Sequence, residues 1–228
     1  MAPVAAFEED ETDEWRWTMP LVVRIERAEP PAHTDVLEAV AKACLGVVDD
    51  ERAMGEWAAA FGAWTGRSRK VVRRARGAHW SAVGDVPGVT VVSGSAEVRA
   101  FPPTPAADLP KELSRLQVGG TDLTDPETPL PPPPTGGPTL WLNPSLSMTT
   151  GKAAAQAGHA ALRVFESLAP AERSAWRLAG YPLAVRRADA IRWTALSGVA
   201  IEIADGGLTE IEAGSITVRA ELPPATMG

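Results

Sequence analysis

Two hydrophobic periods alternate along this chain, one of two residues and one of three to four, and their alternation divides it into elements. Leu21–Arg27 (LVVRIER) reads as a strand. Apolar positions then follow a helical period from His33 to Val48, and again from about Glu51 to Trp64. Lys70–Ala75 alternates like a strand, and Ala78–Val83 suits a short helix. Val89–Val92 and Ala96–Phe101 make a hairpin around Ser93-Gly94-Ser95. A short helix over Pro110–Leu116 with an exit through Gly119-Gly120 follows. The stretch TDPETPLPPPPTGGP, residues 124–138, excludes a helix or a central strand; four consecutive prolines favour a stiff polyproline spacer. Beyond it come a strand at Thr139–Leu142, a long helix at Thr150–Leu168 and a helix restarted at Pro170 that runs to about Leu178. A strand at Leu183–Arg187, a short helix near Asp189–Leu196 and strands at Val199–Ile203 and Ser215–Leu222 complete the chain.

The elements recur in the same order on both sides of the proline-rich stretch, and so do local sequences. AWTGRSRKVVRRARGAHW in the first half answers to AWRLAGYPLAVRRADAIRW in the second. Trp64 corresponds to Trp176, Val72-Arg73-Arg74 to Val185-Arg186-Arg187, and Trp80 to Trp193. The fold expected is α/β, a small mixed β-sheet flanked by helices, present as two tandem repeats that form an intrachain pseudo-dimer. The boundaries expected are an acidic disordered tail over 1–18, a first repeat over 19–109, a linker over 110–138 and a second repeat over 139–228.

Charge changes the picture by its distribution. The chain carries a net charge of −7. Residues 1–137 hold 14 Lys and Arg against 21 Asp and Glu, whereas residues 138–228 hold eight of each. The acidic excess therefore belongs to the first part, where Glu8–Glu14 concentrates it. Against it runs a basic series, Arg67, Arg69, Lys70, Arg73, Arg74 and Arg76, with an echo at Arg186, Arg187 and Arg192. Such series are commonly solvated faces, and they also suit phosphate. Cys44 is the only cysteine, which excludes an internal disulfide and any cysteine-rich metal site. No apolar run is long enough for a bilayer. The N-terminus is acidic where a secretory signal is basic, so the expectation is a cytoplasmic protein without a membrane partner.

Two segments offer chemistry. In SMTTGKAAAQAGHA, residues 147–160, Lys152, Gln156 and His159, followed by Arg163, share one helical stripe behind a Thr149 or Thr150 N-cap. A lysine in a first turn opposes the helix dipole. By spacing alone the stripe reads first as a solvated face, with His159 satisfied locally. In the second segment, Asp205-Gly206-Gly207-Leu208-Thr209 follows an apolar strand. Gly206 and Gly207 are free to take positive φ, and Asp205 and Thr209 can bracket the turn. An aspartate so placed can also orient a lysine or accept a proton.

These segments resemble the type 2 peptidyl-tRNA hydrolases. The resemblance is carried by Gly151-Lys152, Ala155-Gln156 and His159-Ala160, then by Asp205-Gly206-Gly207-Leu208-Thr209 through Gly214, Thr217 and Val218. It is strong over about Thr139–Pro223. It implies hydrolysis of the ester that joins a peptide to the 3′ ribose of tRNA, with peptidyl-tRNA as the partner and no metal or other cofactor. By position, Lys152 would orient substrate or stabilise charge, Asp205 would activate water or hold the lysine, and Gln156 and Thr209 would complete the catalytic cluster. His159, Arg163, Arg73, Arg74 and Arg186 are the residues expected to bind substrate. The stretch between Arg187 and Val199 is shorter than the family's helix there.

The first half departs from the pattern. HTDVLEAVAKAC stands where Gly-Lys and Ala-Gln would be required, and Ser93-Gly94-Ser95 stands where Asp205–Thr209 would be. A degenerate copy that replaces the second subunit of the family's dimer is the expectation, with one working site per chain. A tRNA-binding protein without turnover and a silent protein-binding module are the alternatives.

Overall fold

A computed structural model describes residues 17–64, 69–207 and 211–223. In the first half, β1 (Trp17–Arg24) leads to α1 (His33–Val48), α2 (Ala58–Ala63), β2 (Arg69–Ala75) and α3 (Gly77–Gly84). The hairpin β3 (Val89–Ser93) and β4 (Ala96–Ala100) follows, then β5 (Thr104–Pro105), α4 (Lys111–Ser114) and β6 (Gln117–Val118). The second half runs β7 (Thr139–Leu142), α5 (Thr150–Ser167), α6 (Pro170–Leu178), β8 (Ala184–Arg187), α7 (Ala190–Ala195), β9 (Ile201–Ala204) and β10 (Ile216–Glu221).

Each half builds its own mixed sheet, six-stranded in the first and four-stranded in the second, and four strands of the first follow the order of the second. The first is ordered β3-β4-β1-β2-β6 and the second β9-β10-β7-β8. In both, the opening strand lies parallel to the strand after the helices (β1 with β2, β7 with β8) and antiparallel to the second strand of the following hairpin (β4 or β10). The two parallel pairs have like registers. Leu21 pairs with Val72 as Leu140 pairs with Val185, so Arg73 and Arg186 occupy matching places.

Several expected boundaries move. Strand β1 begins at Trp17, so the first strand takes in residues assigned to a tail, while Glu8–Glu14 lie outside the described residues. The strand tolerates Pro20 because the proline falls between Trp17–Thr18, which pair with β5, and Leu21–Val23, which pair with β4. The helix expected over 51–64 is divided. A single turn at Glu51–Met54 ends at Gly55, and α2 resumes at Ala58. Residues 110–118, expected within the linker, pack against the first sheet: Leu113 and Leu116 are buried beneath it, and β6 extends its edge through β2.

Helices α1 and α5 pack side by side between the two sheets, within one continuous core. That core takes Leu37, Val40 and Leu45 from α1, Val23 and Val98 from the first sheet, and Ala157 and Leu162 from α5. Leu140, Val185 and Val218 of the second sheet complete it. The α5 stripe that spacing reads as a solvated face is largely covered, Gln156 being buried. Helix α5 buries most of its circumference, because α1 and β2 cover one side and β7, β9 and β10 the other. The absence of a side chain at Gly158 permits the approach of α1: a Cβ there would lie 2.7 Å from Cys44 Sγ. Polar ties also cross the junction. Glu38 accepts from Arg186 at 2.9 Å, and Asp49 accepts from Arg177 and from the Tyr181 hydroxyl at 3.1 and 2.6 Å.

Candidate active site

The first turn of α5 and the β9–β10 hairpin meet beside the carboxyl ends of parallel strands β7 and β8, the end where open α/β sheets leave crevices. Thr149 caps the helix, its hydroxyl accepting the Lys152 amide at 3.3 Å. Lys152 and Gln156, one turn apart, both reach Asp205 at the end of β9. The Gln156 side-chain amide donates to Oδ2 at 2.7 Å, and Lys152 Nζ pairs with the same oxygen. Oδ1 accepts the Gly207 amide at 2.8 Å. The Asp205 side chain is 1% exposed and the Lys152 side chain 13%, so the ion pair is sealed on the aspartate side and opens outward through the lysine.

The glycine pair divides its work. Gly207 takes φ +75°, and a Cβ there would meet Ala213 at 2.5 Å. Both positive φ and absence of a side chain are required at this one position. Gly206 is not among the residues with positive φ, contrary to the expectation that both glycines share the turn. The hairpin closes through Asp205 N to Ser215 O at 2.9 Å and Gly214 N to Asp205 O at 2.8 Å.

Thr217 completes the network, and sequence reasoning had placed it only in the family pattern. The pairing of β10 with β9 skips at this residue. Ile216 faces Ala204 and Val218 faces Ile203, so two steps on β10 oppose one on β9. A β-bulge of this kind re-aims a side chain. Thr217 and Val218, neighbours in a strand, are both fully buried. The Thr217 hydroxyl lies 2.8 Å from Gln156 Oε1 and 3.1 Å from the Ile203 carbonyl. Donation to Oε1 sets the amide so that its NH2 group faces Asp205. Thr217, Gln156, Asp205 and Lys152 thus form one chain of contacts.

The other expected residues disperse. Thr209 lies outside the described residues. His159 turns away from the aspartate, toward the first half. Burial, then nearby Lys70 and Arg163, push its imidazole down to about 4. Arg163 is exposed and pairs with Glu166 at 2.9 Å. Arg73 is buried, donating through Nε to the Leu113 carbonyl at 3.1 Å. Arg74 donates to Gly120 O and Gln117 Oε1 at 3.0 and 2.6 Å. Arg186 is held by Glu38 and by the Pro131 carbonyl, the latter at 2.6 Å. Helix spacing and basic runs show neither which side of a helix a second sheet covers nor which arginines meet carbonyls. Among the described residues, no three His, Cys, Asp or Glu side chains converge as a metal would require, and no helix is long and apolar enough to cross a membrane.

The matching place in the first half has the opposite chemistry. Counted from each helix start, Asp35 stands where Lys152 stands and Ala39 where Gln156 stands. Asp35 accepts from Ser95 N and Oγ at 2.7 and 2.6 Å, which ties α1 to the Ser93–Ser95 turn. The β3–β4 pairing is regular through this region, and Glu97 faces Arg24 at the surface instead of the helix.

The family model described as "Peptidyl-tRNA hydrolase PTH2" matches residues 139–226. The second half is a PTH2 domain. The whole Lys152–Asp205 network lies inside the matched segment. The chain matches no curated protein and no solved structure.

Proposed function

We propose that this protein hydrolyses the ester between a peptidyl group and the 3′ ribose of tRNA, at a single site in its PTH2 domain. The observation that carries the reading is the Lys152 ammonium held by a buried Asp205 whose carboxylate is itself oriented by Gln156 and Gly207. Water attacks the ester carbonyl carbon, and negative charge develops on the carbonyl oxygen. Lys152, the outward-facing member of the pair, stabilises that charge, which is where a fixed cation contributes most. The bond to the ribose oxygen then breaks. That oxygen takes one proton derived from the water, the peptide leaves as a carboxylate, and the second proton passes to solvent. Both oxygens of Asp205 already accept hydrogen bonds, which supports its reading as the anchor of the lysine over a role in activating water. Thr209, four residues past Asp205, completes the site by its position in the family pattern.

The first half serves in this reading as a degenerate repeat that packs on the PTH2 domain as an intrachain pseudo-dimer. The shared order of four strands and the α1–α5 packing support it. Among the expected substrate contacts, Arg74 and Arg163 have guanidinium groups at the surface, where phosphate can approach. Arg73 and Arg186 contribute through the packing that places β2 and β8.

The test is peptide release from an N-acetylaminoacyl-tRNA by the full chain, by Lys152→Ala and by Asp205→Ala. Release by wild type and its loss in both variants are expected. No release by wild type would refute the activity, and full activity in both variants would refute the site.

A further inference from the structure

The first residues of the two central helices meet. His33 opens α1 and Thr150 opens α5, and His33 Nδ1 lies 2.9 Å from Thr150 Oγ1. Thr150 is fully buried, and its hydroxyl also accepts the Leu123 backbone amide at 2.9 Å. Leu123 leads into the connector between the halves, and the next two residues clasp α1. His33 N donates to the Thr124 carbonyl at 3.3 Å. Thr34 N and Oγ1 donate to the two carboxylate oxygens of Asp125, each at 2.7 Å. The N-cap residue of α1 is Ala32, whose methyl side chain cannot accept a hydrogen bond, so Asp125, 91 residues beyond Thr34, takes over the capping.

The hydrogen-bond inventory at Thr150 suits a neutral His33. The threonine oxygen accepts from Leu123, and its proton is left to give. A neutral imidazole with its proton on Nε2 accepts that proton at Nδ1. A charged imidazole would instead add a second donor to the same oxygen and remove the acceptor. Burial holds His33 below the ordinary imidazole value. Arg187 acts in the same direction, while Asp125 and Asp122 oppose it.

The contact lies one residue from the Thr149 cap and two from Lys152. We infer that His33, a residue of the first half, is a positioning residue for hydrolysis in the second: through Thr150 it sets the first turn of α5 and so the point at which Lys152 meets Asp205. This rests on the hydrolase reading above. Active groups must be held to a fraction of an ångström, and groups outside the site commonly do the holding. The arrangement also gives the degenerate half a task that surface charge does not supply. It closes the start of the catalytic helix, which the connector and α1 cover together.

The experiment uses the full chain with His33→Ala, His33→Asn, Thr150→Val and the double variant His33→Ala/Thr150→Val, with Lys152→Ala as the inactive control. Steady-state turnover of N-acetylaminoacyl-tRNA is read beside amide hydrogen exchange over residues 149–156. His33→Ala is expected to lower kcat by about ten- to a hundredfold with KM within about twofold. His33→Asn places an amide oxygen near the Nδ1 position and is expected to recover kcat to within about threefold of wild type. Thr150→Val is expected to lose at least as much as His33→Ala, because it also takes the acceptor from Leu123, and the double variant to fall no further than Thr150→Val, because the His33 contact is already gone. Exchange over 149–156 is expected to quicken in His33→Ala and to return in His33→Asn. Unchanged kcat and exchange in His33→Ala overturns the inference. So do equal losses in the Ala and Asn variants, or an effect confined to KM. If wild type releases no peptide, the hydrolase reading fails separately, and unchanged exchange still overturns the hold of His33 on α5.

Discussion

Replacing Asp205 by Asn separates the anchoring of Lys152 from every other duty of the aspartate. The carboxylate faces donors on all sides: Gly207 N at 2.8 Å on Oδ1, and Gln156 Nε2 at 2.7 Å with Lys152 Nζ on Oδ2. The asparagine NH2 group must therefore oppose a donor whichever way it is turned. One orientation sets it against Gly207 N. The other sets it against Gln156 and Lys152, where a local remedy exists. Gln156 can turn over and accept from the new amide, and Thr217 can direct its proton to the Ile203 carbonyl, 3.1 Å away, and accept from Gln156. Every neutral group is then paired again, and only the ammonium of Lys152 is abandoned.

Removing one partner of a buried ion pair costs about 3–5 kcal/mol when the other stays trapped. The Lys152 side chain is 13% exposed and has a way out to water, so the cost expected is about 2–3 kcal/mol. That lowers the midpoint of thermal unfolding by about 5–10 °C for a chain of this length. Activity is expected to fall further, by about a hundred- to a thousandfold in kcat, the usual loss when a preorganised charge-stabilising group leaves its place. Asp205→Ala is expected to match that loss in kcat and to unfold at a lower temperature than Asp205→Asn, because Gly207 N and Gln156 also lose their acceptor. Single-turnover release from N-acetylaminoacyl-tRNA, beside thermal unfolding, reads both quantities. Asp205→Asn with kcat within about threefold of wild type, in a protein where Lys152→Ala is inactive, would refute the anchoring.

Thr217→Val keeps the shape and removes the hydroxyl. Loss of its bond to Gln156 is expected to cost about 1–3 kcal/mol by chemical denaturation and to lower kcat without raising KM, with Thr217→Ser recovering both. Gly158→Ala is expected to destabilise by about 1–3 kcal/mol through contact with Cys44 Sγ, and pairing it with Cys44→Ala should recover part of that in a double-mutant cycle. His159 has a folded pKa of about 4 against an ordinary 6.5. The unfolded chain thus binds the proton first, so its contribution is complete above about pH 6.5 and is lost as pH falls toward 4. Urea unfolding should show a loss of up to about 3 kcal/mol across that window, reduced in His159→Gln.

Local sequence carries much of this structure where neighbours on the chain decide the outcome. Helix α1 begins and ends where its periodicity indicates, because Leu37, Val40, Cys44 and Val47 make one continuous apolar face. Strand β7 and helix α6 likewise keep their expected limits. The division of the helix expected over 51–64 reflects Gly55 and the turn around it, a local choice that apolar spacing overlooks. Residues 110–118 read as a connector because two-residue β6 has no pattern of its own and exists only by pairing with β2.

What the amino-acid order determined alone is the α5 stripe that sets Lys152 and Gln156 one turn apart, and the aspartate at a strand end. These depend on helical and extended periods, which any short stretch of chain displays. Tertiary structure decided which of the stripe residues face Asp205. Two sheets enclose α5 and direct His159 and Gln156 toward different halves. It also placed Thr217 in the network, because a bulge exists only as a difference in count between two strands. The contact of His33 with Thr150 has the same origin. The two residues are 117 apart in the chain, and they meet because the halves pack helix to helix with the starts of both helices together.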